Sequence, residues 1–272
     1  MRYTKLAAVS VGLFCASAAR SQPVQQCGWT SDFGIAAATR IYDFEAFDLD
    51  GAGPLPKQLV LAGSGVGRTW SFNVNTGPCC ASAGFSGSIG MWTVQKMVAF
   101  GNTPPGNIIR TLVEYDDGTG PALYAAGAGP SLFRWTGTTW QSLWGPTGGS
   151  SATVHTATVH DAGDGPALYL CGEFASAGGV PCANITKFRG GAFSPLGTGL
   201  DMPALAVSTF DDDGAGPRPA GLYATGFFQV AGGVAANHIA RWGGASWEPL
   251  GLGLDDTGAC LTVHDDGMGD RL

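Results

Sequence analysis

Aspartates in recurring turns are the residues whose type and spacing best suit chemistry. The turns read Asp-Gly-x-Gly-Pro and lie at 50–54, 117–121 and 213–217. Carboxylate oxygens held on a tight glycine turn suit a hard cation such as Ca²⁺. The candidate calcium ligands are Asp48, Asp50, Asp211 and Asp213.

The same turns also have a structural interpretation, which the pattern favours. A calcium loop spreads oxygen ligands over alternate positions, whereas Ala52, Thr119 and Ala215 stand where a third ligand would lie. In such turns Asp accepts backbone N–H groups, Gly adopts positive φ and Pro starts the next strand. We therefore expect structural turns and no required cofactor, with calcium as the alternative.

Basic residues precede aromatic residues at three equivalent places: Arg134-Trp135, Lys187-Phe188 and Arg241-Trp242. Aromatic rings beside polar groups can form platforms that stack on sugars. Positions that repeat in register usually pack one sheet against the next instead. We expect packing, with each buried cation paired to a turn aspartate, and a lectin-like platform is the alternative.

Six cysteines remain when Cys15 is removed with the leader described below. An even number in a secreted chain predicts disulfides. Cys171 and Cys182 would flank one loop of a single unit, so we expect these two to pair. Zinc is not expected, because no Cys-x-x-Cys pair exists and the odd offset of His155 and His160 points them to opposite faces of a strand.

Other single residues offer weaker signals. His160 and His264 end predicted strands and are expected to be exposed. Asn184-Ile-Thr186 fits a glycosylation acceptor. No Ser or Cys lies in a nucleophile motif and no carboxylate pair departs from the turn pattern, so we expect no catalytic residue.

The N-terminus reads as a leader. Arg2 and Lys5 precede an apolar run over 6–19 that ends in small residues, so residues 1–21 are predicted to be a secretory signal peptide. The run is shorter than the ~20 residues of a membrane span, and no other stretch is long and apolar enough. We expect a secreted or cell-surface protein without a membrane span.

Composition limits the partners. The net charge is −7 and only 13% of residues are charged, which argues against nucleic acid because that partner needs a basic surface. Glycine is abundant, at 44 of 272 residues, but hydrophobic residues still make up 44%. The chain can therefore bury a core and is not a disordered linker.

Two tandem copies of one unit organise the elements that carry these residues. Ala177-Gly-Gly-Val180 and Ala231-Gly-Gly-Val234 are 54 residues apart, as are Asp201 and Asp255. Each copy predicts four short apolar strands bounded by Gly, Pro and Asp, and a fixed period of this kind is typical of a propeller or an array. Within a single domain over 22–272, the predicted units are 36–108, 109–152, 153–202, 203–256 and a partial 257–272.

The repeat resembles a known class of proteins. Its best-preserved pieces are Asp116-Asp-Gly-Thr-Gly-Pro-Ala-Leu-Tyr124, Ala231-Gly-Gly-Val234, Ile239-Ala-Arg-Trp242 and Trp247-Glu-Pro-Leu-Gly251. They resemble the secreted repeat proteins of planctomycete bacteria, which look distantly similar to kelch-like and cortical cell-polarity-marker propellers. The resemblance implies an extracellular β-propeller-like protein without enzymatic activity, and it carries over no catalytic residue.

The predicted fold is all-β: a β-propeller-like array of four-stranded antiparallel blades, truncated or incompletely closed. The predicted function is a non-enzymatic secreted or cell-surface scaffold that binds a protein or carbohydrate ligand on the propeller face. One alternative is a carbohydrate-active enzyme with its site on that face, and another is a Ca²⁺-stabilised structural envelope protein. Non-repeating acids around the centre would favour the enzyme.

Overall fold

The computed structural model describes residues 40–49, 57–64, 89–92, 97–100, 108–129, 132–144, 152–214, 216, 219–265 and 270–272. These residues form strands and turns without a helix, so the predicted all-β class is confirmed. Sheet one contains β1 (Arg40–Phe47), β2 (Gln58–Ser64), β3 (Ile89–Trp92) and β4 (Met97–Ala99). Sheet two contains β5 (Ile109–Asp116), β6 (Pro121–Gly127), β7 (Leu132–Trp135) and β8 (Trp140–Ser142).

The next two sheets each carry an additional hairpin. Sheet three and its hairpin comprise β9 (Thr153–Asp161), β10 (Pro166–Glu173), β11 (Ser176–Ala177), β12 (Val180–Pro181), β13 (Ile185–Arg189) and β14 (Ala192–Pro195). Sheet four and its hairpin comprise β15 (Ala204–Phe210), β16 (Gly221–Gly226), β17 (Val230–Ala231), β18 (Val234–Ala235), β19 (Ile239–Trp242) and β20 (Trp247–Pro249). A last pair follows, β21 (His264–Asp265) and β22 (Asp270–Arg271).

All four large sheets are antiparallel meanders. The strand orders are β1-β2-β3-β4, β5-β6-β7-β8, β9-β10-β13-β14 and β15-β16-β19-β20. Four-stranded antiparallel sheets are therefore confirmed. The turns between the first two strands of sheets two and three, at 117–120 and 162–165, are short and acidic. Such turns suit a hairpin connection because Asp and Gly supply the turn geometry.

The Ala-Gly-Gly-Val segments form hairpins, although the sequence predicted only loops there. β11 pairs with β12 and β17 pairs with β18. Gly178 and Gly179 between the first pair have φ of 55° and 84°, and two consecutive positive φ values are what a tight two-residue hairpin turn needs. A Cβ on Gly178 would also collide with the Phe193 ring. The hairpin thus covers the aromatic side chain of the fourth strand.

Successive sheets pack face to face over three hydrophobic clusters. The second strands β6, β10 and β16 are almost entirely buried, as expected for apolar runs with both faces covered. Trp135, Phe188, Trp242 and Trp247 are all buried. The packing interpretation of the basic–aromatic pairs is therefore confirmed, and ring pairs such as Trp242–Trp247, with centroids 5.4 Å apart, join the third and fourth strands.

The first strand of each sheet contains a β-bulge at its start. The pairing register shifts between Ile41 and Asp43 in β1, and between Ile109 and Thr111 in β5. The same shift occurs in β9 and in β15. One residue per first strand is thereby left out of the ladder. Bulges re-aim the side chain of the extra residue and are over-represented beside functional sites.

Candidate functional site

The predicted calcium ligands are only partly gathered by the structure. Ligand oxygens of Asp211, Asp212 and Asp213 lie within 4.8 Å of one another. Asp211 Oδ1 accepts the Asp213 N–H at 3.3 Å, so the turn itself uses one carboxylate. Asp48 lies at the end of β1, while Asp50 is outside the described residues. Calcium at these four residues stays a prediction, which calorimetry with and without chelator tests.

The equivalent turns of sheets two and three use their aspartates internally. Asp116 Oδ1 accepts the Gly118 and Gly120 N–H groups at 2.9 Å each. Asp161 Oδ1 accepts the equivalent Gly163 and Gly165 N–H groups at 2.8 and 2.9 Å. These turns therefore have the geometry of the structural interpretation.

A second aspartate in each turn pairs with the cation of the third strand. Asp117 accepts the Tyr124 O–H at 2.9 Å and lies 3.5 Å from Arg134 Nε. Partial burial raises the pKa of Asp117, but hydrogen bonds from Thr119 and Tyr124 outweigh it and lower the pKa. Lys187 pairs with Asp164 in the same way. These repeated charged residues thus pair with one another and stabilise the turn against the third strand.

The two cysteines predicted to form a disulfide lie in different hydrophobic clusters. Cys171 belongs to the cluster between sheets three and four, and Cys182 to the cluster between sheets two and three. Both are buried free thiols in the structure, and burial raises the pKa of each. A bond between them would have to cross sheet three. The pairing stays a prediction that a free-thiol count tests.

The structure also bears on the two strand-end histidines and on the predicted glycosylation acceptor. His160 is 4% exposed and packs edge-on against Tyr169, so the expectation of an exposed residue is wrong because the next sheet covers this strand end. His264 is exposed, as expected. Asn184 donates from Nδ2 to the Leu200 carbonyl oxygen and accepts the Phe174 N–H. The Asn184 amide therefore holds two backbone groups, and its glycosylation stays a prediction.

The bulge residues of the first strands form a row of differing chemistry. The residue that the register shift skips is Tyr42 in β1, Arg110 in β5, His155 in β9 and Leu205 in β15. We call these four the bulge row. The first strands contact one another in series, β1 with β5, β5 with β9 and β9 with β15. Equivalent positions on neighbouring strands thus become neighbours in space.

Interactions along the bulge row link its first three members. The Arg110 guanidinium carbon lies 5.2 Å from the centre of the Tyr42 ring, which is a cation–π distance. Arg110 Nε is buried and has no hydrogen-bond partner among the described residues. Burial, followed by the positive charge of Arg110, lowers the pKa of His155, although Glu173 opposes this. His155 is therefore neutral at pH 7 and can both donate and accept a hydrogen bond.

Three carboxylates that do not repeat lie further along the first two of these strands. Glu45 on β1 is half-buried, and its pKa is raised to about 7 by burial first and then by the negative charges of Asp43 and Glu114, while Lys57 opposes the shift. Lys57 Nζ lies 2.8 Å from Glu114 Oε2. Asp43 Oδ2 accepts the Leu112 N–H at 2.9 Å.

Sequence reasoning missed both groups. At the ladder position of Glu45 the later sheets carry Val113, Thr158 and Ser208. A charged residue at a position where the other units have an apolar or hydroxyl side chain is a signal of a functional residue. It was hidden because the first unit is the most divergent, and because a bulge residue is recognised only once the strand register is known.

Comparisons with known proteins add no identity. No family model matches this chain, and no curated protein matches it. The resemblance to planctomycete secreted repeat proteins therefore rests on the sequence motifs alone. Within the described part of the chain, no helix has the length and apolar character needed to cross a membrane.

Proposed function

We propose that this protein is a secreted or cell-surface scaffold of β-propeller-like blades that binds a ligand at the bulge row. The observation that carries the proposal is the bulge row itself. Its position is the same in all four sheets, but its residue type differs in each: Tyr42, Arg110, His155 and Leu205. Constant geometry with variable side chains suits recognition, because the fold does not require any one of these residues.

The serial contacts between first strands support a propeller-like arrangement. Each sheet presents its first strand to the first strand of the next sheet, and the hydrophobic clusters fill the space between sheets. Blades of a propeller radiate from their first strands in this manner. The bulge row then lies around the inner side of the array, where ligand sites of large β structures commonly form.

A neutral, hydroxyl-rich ligand fits the chemistry best. The row combines an aromatic ring, a cation whose Nε has no hydrogen-bond partner in the described part of the chain, and a neutral imidazole. Sugar hydroxyls both donate and accept hydrogen bonds, so they match a mixed set of donors and acceptors, and the aromatic ring offers a stacking surface. A polyanionic ligand is disfavoured by the net charge of −7. A glycan is thus the ligand class that we propose.

Binding to an oligosaccharide array, followed by calorimetry on the best ligand, tests this function. Tyr42→Ala and Arg110→Gln should each weaken binding at least tenfold. Arg189→Gln is the matched control, because Arg189 lies on β13 beside the Asp164 turn and is not in the row. Equal effects of Arg110→Gln and Arg189→Gln would exclude the bulge row as the site.

A carbohydrate-active enzyme is the second candidate, favoured by the raised pKa of Glu45. A glycosidase needs one carboxyl group that is protonated near neutral pH and a second that is ionised. Glu45, with a pKa of about 7, lies near Asp43 and Glu114, and none of the three repeats in later sheets. Hydrolysis of aryl glycosides that Glu45→Gln abolishes would support the enzyme. Ligand binding without turnover in the native chain would support the scaffold.

A further inference from the structure

The backbone beside the bulge row is fixed by a repeated glycine. Gly127, Gly172 and Gly226 pair with the residue just before the bulge in sheets two, three and four. A Cβ on any of these glycines would collide with the backbone at the start of the first strand. This close approach requires glycine, and it holds the same backbone geometry in each sheet whatever side chains follow.

Each of these glycines is followed by a residue whose type differs between sheets. The three residues are Ala128, Glu173 and Phe227, and we call them the rim. Each lies opposite the residue that begins, or directly precedes, the first strand of its sheet. The rim and the bulge row therefore lie at the same end of the sheets, where side chains vary on a constant backbone.

Arg110 in the bulge row differs from the other cations of the chain. Every other cation whose side chain the structure describes forms an ion pair with a carboxylate: Lys57, Arg134, Lys187, Arg189 and Arg241. Arg110 lies over the Tyr42 ring instead, and its buried Nε has no acceptor among the described residues. The fold thus uses the other five cations in ion pairs and leaves Arg110 without one.

Glu173 in the rim is likewise not used by the fold. It is exposed although sheets two and four lie on either side of its sheet, and its carboxylate has no hydrogen-bond or ion-pair partner among the described residues. Burial, followed by the charge of Arg110, lowers the pKa of His155, while the charge of Glu173 opposes this. Arg110, His155 and Glu173 therefore lie close together, and we call them the polar trio.

Apolar side chains come next to the polar trio. Leu205 follows His155 in the bulge row, and Phe227 follows Glu173 in the rim. Leu205 is half-buried, as Arg110 and His155 are, and Phe227 is 47% exposed. Because β9 contacts β15, a polar and an apolar patch adjoin each other at this end of the sheets.

An amide that ends in a methyl group matches this arrangement. Its oxygen accepts from a cation or an imidazole, and its N–H donates to a carboxylate, so both bonds to the charged groups are charge-assisted. A carboxylate on the ligand would be repelled by Glu173, and an ammonium group by Arg110. A hydroxyl would satisfy the polar trio but would leave Leu205 and Phe227 uncovered, whereas the methyl group covers them.

We propose that the protein recognises the acetamido group of a 2-acetamido sugar at the polar trio and its apolar neighbours. This inference rests on the proposed function, because it names the sugar class of the glycan that binds at the bulge row. Arg110 and His155 donate to the acetamido oxygen, and Glu173 accepts the acetamido N–H. Leu205 and Phe227 pack against the methyl group.

Calorimetry on the whole chain compares the trimer of N-acetylglucosamine with the trimer of glucose that has the same linkage and hydroxyls in place of the acetamido groups. The acetamido trimer should bind about tenfold tighter, because it alone makes the charge-assisted bond to Glu173. Glu173→Ala should weaken the acetamido trimer roughly fivefold and leave the glucose trimer unchanged. Glu248→Ala is the matched control, since this carboxylate lies on β20 and pairs with Arg241, and it should affect neither ligand.

The outcomes separate this inference from the proposed function. Equal affinity for the two trimers overturns the inference and leaves the glycan scaffold in place, as does an equal effect of Glu173→Ala and Glu248→Ala. Binding of neither trimer also overturns the inference, and the proposed function then survives only if Arg110→Gln weakens another glycan. An N-acetylated peptide that binds as tightly as the acetamido trimer overturns the inference as well, because the sugar is then not recognised.

Discussion

Residues 196–201, which follow β14, and residues 250–255, which follow β20, show how similar local sequences can have two structural roles. We call them the first connector and the second connector. Both connectors follow a fourth strand that ends in aromatic-x-Pro, and both contain two glycines of positive φ. Leu200 in the first connector is 1% exposed, whereas Leu254 in the second is 39% exposed. Backbone geometry is thus local, but burial depends on whether a neighbouring unit covers the segment.

The difference implies that the connectors contribute unequally to stability. Burial of an apolar side chain contributes free energy only where the neighbour removes it from water. Among the residues that the structure describes, hydrogen bonds from such a hairpin reach the first connector and not the second. Matched substitutions in the two connectors therefore separate what the segment does by itself from what the junction adds.

The largest contrast is expected for leucine. Leu200→Ala should lower the free energy of unfolding by about 2–4 kcal/mol, because a fully buried leucine leaves a cavity. Leu254→Ala should lower it by less than about 0.5 kcal/mol, as for an exposed position. Urea unfolding of both variants measures the difference. Equal losses would mean that Leu254 is buried by a contact in solution.

Glycine substitutions should cost the same stability in both connectors. Gly199 and Gly253 both have φ of 78°, and a Cβ would collide with Ala183 in the first case and with Asn237 in the second. Gly199→Ala and Gly253→Ala should each cost roughly 1–3 kcal/mol, because strain of this kind is local. Similar urea midpoints for the two variants are the expected result. A cost at Gly199 alone would show that the second connector adopts another backbone conformation.

Aspartate substitutions should again affect the stability of the two connectors unequally, but by less than the leucine substitutions. Asp201→Ala removes the acceptor of two N–H groups and should cost about 1–2 kcal/mol, since the site is exposed and the gain per bond is modest. Asp255→Ala should leave the free energy of unfolding unchanged in the isolated chain. Thermal melting at low ionic strength compares them. A destabilised Asp255→Ala variant would indicate an internal partner for this carboxylate.

The pH dependence of Glu45 should be the smallest effect and independent of both connectors. Its folded pKa of about 7 exceeds the ordinary 4.5, so the folded state holds the proton more tightly. The resulting stability is full below pH 4.5 and is lost as pH rises through 7. Glu45→Gln should remove this loss, roughly 1 kcal/mol after solvent screening. Melting curves from pH 4 to 8 for wild type, Glu45→Gln and Asp201→Ala test it, and a changed slope in Asp201→Ala would link the two regions.

Much of the fold was predictable because its signals are local. Strands β5, β6 and β16 lie where the apolar runs predicted them, and the turns around Asp116 and Asp161 have the structural geometry that Asp and Gly favour. The sequence predicts a loop where the structure has hairpin β17–β18, since two-residue strands are too short to show alternation. The pairing of turn aspartates with third-strand cations was predicted from register alone, and Asp117–Arg134 realises it.

The candidate site was beyond the sequence for a physical reason. Tyr42, Arg110 and His155 share no motif, and they become equivalent only through the bulges that leave each one outside its ladder. A bulge is set by the pairing of two strands, and the contact between first strands is set by the packing of two sheets.

The sequence by itself determined the repeat, the four strands of each unit, the turn chemistry and the connector backbone, because these depend on propensity and on residues close along the chain. The tertiary structure alone decided which copies are covered. It placed Cys171 and Cys182 in different clusters, used the Asn184 amide internally, and buried Leu200 while leaving Leu254 in solvent. Burial is a property of neighbours in space, and two segments of similar sequence are both buried only when each has a neighbour.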